Sequence, residues 1–274
     1  MSKFYKARKT WGIFDPSSKD PFKVSRSKID LFIQCERCFY LDARLGVKRP
    51  SFPAFTLNSA VDFLLKNEFD LLRKKGESHE LMKRYGIDAV PFDHKDLPIW
   101  RDDAHRYTGA KVLFEEGNLI VDGLVDDIWI NKNAELMIVD YKATSTSKEI
   151  SLEDEWKAGY KRQMEIYQWI FRHLSFKVSD TGYFVFANAA KNRPSFDGKL
   201  EFEMSIIPHK GDDSWVSETL LNMKKCLISD NIPNANQECE YCNYRENAGL
   251  SFREIVLKNK AVKSPVKVPI SKKQ

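Results

Sequence analysis

The sequence predicts a single α/β domain, a central mixed β-sheet flanked by helices, and three observations carry that expectation. Residues 110–143 fall into short β-rich runs separated by turn residues, residues 151–174 carry a helical stripe, and two more strand-like runs follow. Strand and helix patterns therefore alternate without a linker in the middle, as a layered α/β packing requires. With 274 residues, 42% of them hydrophobic and 12% aromatic, the chain can bury such a core.

Residues 1–22 read as an irregular arm with Trp11 and Phe14 as anchors. The form of "SKID" (Ser27 to Asp30), an acid three residues after a serine, predicts a capping box opening a helix with Ile29, Phe32, Ile33, Phe39 and Tyr40 at helical spacing. The break at "RPSFPAF" precedes a second amphipathic helix, "LNSAVDFLLKNEFDLLRKKG", closed by Gly76. Residues 77–107 are polar and show no clear period. Beyond them, "KVLFEEGNLIVDGLVDDIWINKNAELMIVDYKA" gives three β-rich runs, punctuated at Gly117-Asn118 and at Asn131-Lys132-Asn133. In "SLEDEWKAGYKRQMEIYQWIFRHL" an acidic first turn leads a stripe of Trp156, Tyr160, Gln163, Tyr167 and Ile170. The strands "TGYFVFANA" and "LEFEMSIIP", a helix over 213–228 and a cysteine-containing loop complete a body spanning 23–250. Residues 251–274 are expected to be a basic tail without structure.

Charge says little about that body. The net charge is +5, but residues 258–274 carry six lysines and no acid, which leaves residues 1–257 at −1. Such a tail is read as solubilising, with weak contact to phosphates as the other reading. The first residues are basic but lack an apolar h-region, and no run is long enough to span a bilayer. An intracellular, cytoplasmic protein with no membrane partner is expected, nucleoid-associated if bacterial.

"IVDYKA" (138–143) places Asp140 and Lys142 two apart on a strand, so both leave the same face, while Tyr141 points the other way and keeps its carbonyl in the sheet plane. The preceding run "LIVDGLVDDIWI" carries Asp122, Asp126 and Asp127. A hairpin folded about Asn131–Ala134 sets Asp126 opposite a residue near 139, within reach of a cation shared with Asp140. Two carboxylates and a carbonyl are a hard-oxygen set suited to Mg²⁺ or Mn²⁺, and a neighbouring ammonium is the remaining part needed for phosphodiester hydrolysis. Alone, each residue would be read first as part of a structural ion pair at a strand end.

Taken together, "GLVD … IVDYKAT … RQMEIY" resembles the RecB-like branch of the PD-(D/E)XK nuclease superfamily, which includes CRISPR-associated exonucleases. The resemblance implies a restriction-endonuclease-like core and a metal-dependent DNA nuclease of exonuclease type, working in repair, recombination or phage- and CRISPR-type processing. It implies that Asp126, Asp140 and Lys142 form the metal-binding and catalytic core, and that Gln163 and Tyr167, four apart on one helix face, contact substrate and catalytic groups. The family's Gly-x-x-x-His pattern is met here by "NSAVD", with Asn58 and Asp62 at the two positions. Asp62 is then either a ligand beside Asp126, Asp140 and the Tyr141 carbonyl, or a solvated helix residue. Single-stranded DNA or duplex ends are the implied substrates, with Trp156 and Tyr160 as a stacking surface or as core. No Walker-type phosphate loop occurs, so a helicase or recombination partner would be a separate chain. A binding or assembly module of the same fold with impaired catalysis is the alternative.

Five cysteines occur, four of them as "CERC" (Cys35, Cys38) and "CEYC" (Cys239, Cys242). Two C-x-x-C pairs in a reducing compartment favour a metal over disulfides or free thiols, clasping the first helix to the C-terminal end. The family resemblance implies a [4Fe–4S] cluster built from one early and three late cysteines. Here the last is absent and Cys38 stands as the replacement, so Zn²⁺ is the other reading. Cys226 is expected to be an apolar core residue.

Overall fold

The computed structural model describes residues 11–50, 53, 55–102 and 108–263, without the side chains of Trp156 and of residues 260–263. Of the two expected anchors of the arm, Phe14 is buried while Trp11 is exposed. The arm ends in β1 (Phe22–Ser25), and α1 (Arg26–Gln34) follows it directly. The expected capping box is not formed: Ser25 is the N-cap, and no side chain caps the helix. The expected single helix is also two. Cys35 is extended (φ −167°, ψ 109°), ending α1 and starting α2 (Glu36–Ala43). The side chain of Cys35 is committed to a cysteine cluster with the C-terminal region, and that tertiary demand overrides helical periodicity.

The second helix forms as α3 (Thr56–Arg73), with Gly76 beyond it at φ +66°. It buries Leu65, Phe69 and Arg73, four residues apart and so on one face. The stretch that sequence left unassigned contains α4 (Glu80–Arg84), β2 (Ala89–Pro91) and α5 (Leu97–Trp100). Four strands, not three, come next: β3 (Ala110–Phe114), β4 (Leu119–Gly123), β5 (Asp127–Asn131) and β6 (Leu136–Thr144). The run "LIVDGLVDDIWI" is broken at residues 124–126, so its halves belong to different sheets. After a 3-10 turn at Glu155–Lys157 comes α6 (Ala158–His173), which leaves the acidic "SLED" outside the helix. The chain continues through β7 (Thr181–Ala189), β8 (Phe202–Lys210), α7 (Ser214–Ile228) and α8 (Glu240–Lys263). The expected C-terminal loop is thus the start of a helix, and that helix runs on through the residues expected to lack structure from 251. Residues 264–274 of that tail lie outside the described residues.

The fold is mixed α/β, with the sheet divided in two. One sheet has the order β1-β4-β3, with β1 parallel and β3 antiparallel to β4. The other has the order β2-β5-β6-β7-β8, in which, among the described residues, β6–β7 is the one parallel pair of strands, joined through α6. α6 packs on β3, β4 and β6, so it bridges both sheets, while α3 lies on β6 and β2. Alternation along β6 then divides its side chains between two cores. Ile138 joins the α6-side core with Met164, Ile170 and Phe184. Val139 and Tyr141 join the other with Leu65, Phe69 and Trp129. Asp140 and Lys142 therefore face α6, and Tyr141 faces α3.

Candidate active site

The β5–β6 hairpin pairs Asp127, the first residue of β5, with Val139, and β6 continues beyond that pair to Thr144. Asp126 is the last residue of the β4–β5 connection, one step past that final pair. Leu136 donates to Lys177 O and accepts from Ser179 N, both at 2.8 Å, which turns the backbone of even-numbered β6 residues toward β7. Odd-numbered residues turn to the β5 side, where Tyr141 N–H reaches Asp126 Oδ2 at 2.9 Å and the Tyr141 carbonyl leaves the same edge. The amide of Asn58 donates to Ala143 O at 3.3 Å on that edge, seating the first turn of α3 beside β6. Asp62, one turn later, follows it toward Asp126.

Asp140 is fully buried. Its Oδ1 accepts from Gln163 Nε2 at 2.6 Å and its Oδ2 forms an ion pair with Lys142 Nζ. Gln163 Nε2 also lies 3.3 Å from the Tyr167 hydroxyl. Burial raises the Asp140 carboxyl to about 7, Lys142 opposes the rise, and the charge on Asp126 adds to it. Lys142 stays protonated despite burial because Asp140 and Asp126 hold its pKa above the usual value. Its Nζ also sits 4.5 Å from the centre of the Tyr160 ring. That face of Tyr160 is therefore occupied by an ammonium and not open to a nucleobase; the Trp156 side chain lies outside the described residues.

Two cations at this centre had no motif to announce them. Lys66 Nζ lies 2.9 Å from Asp62 Oδ2 and 3.7 Å from Asp126 Oδ1, bridging the two acids. Burial and the Asp126 charge raise the Asp62 carboxyl, with Lys66 opposing. Arg26, at the start of α1, lies against Tyr167; its pKa is pulled down by burial but raised overall by Tyr167, Asp30 and Asp140. The i,i+4 spacing of Asp62 and Lys66 was a visible signal, whereas Arg26 meets its partners only through the fold.

Asp122 and Asp127, the other acids of the run, are elsewhere. Asp122 pairs with Lys23 at 2.9 Å in the three-stranded sheet. Asp127 is fully buried on the α3 side, where it takes Arg73, the Tyr141 hydroxyl at 2.7 Å and the Ile128 N–H at 2.8 Å. Asp127 is thus a structural acid. Four histidines have structural partners away from the centre: His79 accepts from Leu81 N in α4, His94 accepts from Asp96 N, and His173 and His209 pair with the Trp169 carbonyl and Glu165.

Three acids, one of them a buried carboxyl raised partly by its neighbour's charge, and a strand-edge carbonyl are chemistry that suits a hard divalent cation. The three acids do not form a closed cage: among the described residues, the only group of three or more His, Cys, Asp or Glu ligand atoms within 4.8 Å of one another is made of cysteines. A family model of the PD-(D/E)XK nuclease superfamily matches residues 71–247. The chain belongs to that superfamily. Its mixed α/β architecture agrees with the superfamily's restriction-endonuclease-like fold, and membership supports a nuclease-type function, for which DNA is the implied substrate. The solved structure of SSO0001 aligns over 92% of this chain and 90% of its own, at 16% identity and a TM-score of 0.37. No curated protein matches. No helix among the described residues of this superfamily member is long and apolar enough to cross a membrane.

The second cluster is the cysteine group. Cys35, Cys38, Cys239 and Cys242 are all buried, with all four Sγ atoms within 4.8 Å of one another. Four buried thiols in one cluster are the ligand chemistry of a thiolate-bound metal or an iron–sulfur group. Cys226 is apart from it, half-buried on α7, where burial raises its thiol to about 11.

Proposed function

We propose that this chain is a divalent-metal-dependent nuclease of the RecB-like type, hydrolysing phosphodiester bonds at single strands or duplex ends of DNA, as exonucleolytic repair or recombination processing requires. The observation that carries the reading is the meeting of Asp126 and Asp140 where β5 begins and β6 continues past it, with Lys142 on the Asp140 carboxylate. Asp126, Asp140 and the Tyr141 carbonyl are the oxygens that would hold Mg²⁺ or Mn²⁺, with Asp62 at the position the family gives to histidine. When bound, the cation supplies Lewis-acid stabilisation of a phosphate oxygen and a more acidic water. Lys142, kept protonated by two carboxylates, offers positive charge to the phosphate as negative charge develops on it. Gln163 fixes the Asp140 carboxylate from the α6 side, and Tyr167 with Arg26 fixes Gln163.

A second reading, a DNA-binding or assembly module with impaired catalysis, is favoured by one observation: Lys66 lies between Asp62 and Asp126, where its ammonium competes with a cation. No observation favours a helicase partner. Cleavage of end-labelled single-stranded and duplex DNA with Mn²⁺ separates the readings. The nuclease reading expects cleavage by the wild type and a loss of at least about 10²–10³-fold in Asp140→Ala, with DNA binding retained. Equal cleavage by wild type and variant would sink it, and binding without cleavage by the wild type would favour the module.

A further inference from the structure

The four cysteines point to a cofactor different from the one the family resemblance implies. Cys35 Sγ lies 3.9 Å from Cys242 Sγ, and Cys38 Sγ lies 3.6 Å from both Cys239 Sγ and Cys242 Sγ. Sulfurs this close are nearly in van der Waals contact. A [4Fe–4S] cage needs its thiolates on four separate irons, spread around an eight-atom core, and there is no room for such a core between them. One ion with four thiolates at ~2.3 Å in a tetrahedron sets the sulfurs ~3.8 Å apart. We infer that Cys35, Cys38, Cys239 and Cys242 hold a single tetrahedral Zn²⁺ rather than an iron–sulfur cluster. This inference stands independently of the nuclease reading.

The local structure on both sides agrees. Each pair places its first cysteine immediately before a helix, Cys35 ahead of α2 and Cys239 ahead of α8, and its second in the first helical turn. Two helix N-termini, the positive ends of their dipoles, therefore face the sulfurs. The backbone N–H groups of Asn236 and Cys38 turn onto Cys35. Arg49 Nη2 lies 3.4 Å from Cys239 Sγ, its guanidinium stacked 4.6 Å over the Tyr241 ring, so a full cation answers the charge of a four-thiolate site. Asn236 donates to the Gln34 carbonyl at 3.1 Å, and Arg49 Nη1 donates to Gln34 Oε1 at 2.7 Å, fixing the two halves against each other. The sulfurs are arranged toward a common centre, not dispersed among aliphatic side chains as core thiols are.

The test is elemental analysis and acid-labile sulfide determination on the full chain, produced with iron and zinc both supplied and purified anaerobically. About one zinc per chain, no sulfide and a colourless protein are expected. Protein grown on Co²⁺ should carry the strong visible bands of tetrahedral cobalt–thiolate coordination. Cys226→Ser should leave the zinc content unchanged and Cys239→Ser should lower it. If Cys239→Ser does not fold, the wild-type and Cys226→Ser metal counts still decide. Iron with or without labile sulfide, or a metal-free protein with its cysteines free or oxidised in pairs, would overturn the assignment.

Discussion

Asp140 sits on a strand with no exposure, and its tolerance there depends on Gln163 and Lys142 as partners. Because its carboxyl is raised from 3.8 to about 7, mainly by burial, the folded state holds its proton more tightly than the unfolded chain. Without added divalent cation, its contribution to stability is full at acid pH and is lost as pH rises toward 7. Comparing the melting temperatures of wild type and Asp140→Asn isolates this term. The advantage of the variant should be larger at pH about 8 than at pH about 5, and Mn²⁺ should stabilise the wild type more than the variant. A pH-independent difference would contradict the burial argument. The pair Asp140 and Lys142 was legible from sequence because a two-residue spacing on a strand fixes a shared face. Arg26 was not, since only partners brought in by the fold set it apart, and for Lys66 the i,i+4 spacing to Asp62 was visible but the contact with Asp126 was not.

At the scale of elements, α6 is the part that assembles the centre. It carries Gln163 and Tyr167 across β6, and it packs closely enough on β4 that Gly123 has no room for a side chain. A Cβ there would lie 2.5 Å from Tyr167 Cε1. Tyr167 is buried and held against Arg26 and Gln163, so it cannot swing aside. Gly123→Ala should therefore cost about 1–3 kcal/mol in a denaturant titration, and an unchanged midpoint would show the contact to be looser. Elements with strong periods, α3, α6, β7 and β8, were readable in advance. The hairpin register was nearly so, because the Asn131–Ala134 turn fixes which residues oppose. The splitting of "LIVDGLVDDIWI" was hidden, since apolar residues recur on both sides of the bend that moves Asp122 into another sheet. The break at Cys35 and the length of α8 were hidden too. One answers to sulfurs about 200 residues away, and the other has a composition that local charge reads as solvated.

Over the whole molecule, the two clusters lie at opposite ends of the same helix. α1 begins with Arg26 at the carboxylate centre and ends at Cys35 in the cysteine cluster, and Arg162 of α6 holds its middle through Asp30 at 2.7 Å. The most direct test of the account is a Mn²⁺ titration of the full chain followed by electron paramagnetic resonance, on wild type, Asp126→Asn, Asp140→Asn and, as a control, Asp122→Asn. The account predicts one Mn²⁺ site, weakened at least about 10-fold by either of the first two substitutions and unchanged by the third. Equal Mn²⁺ affinity in the wild type and Asp140→Asn, or an equal loss in Asp122→Asn, would contradict it.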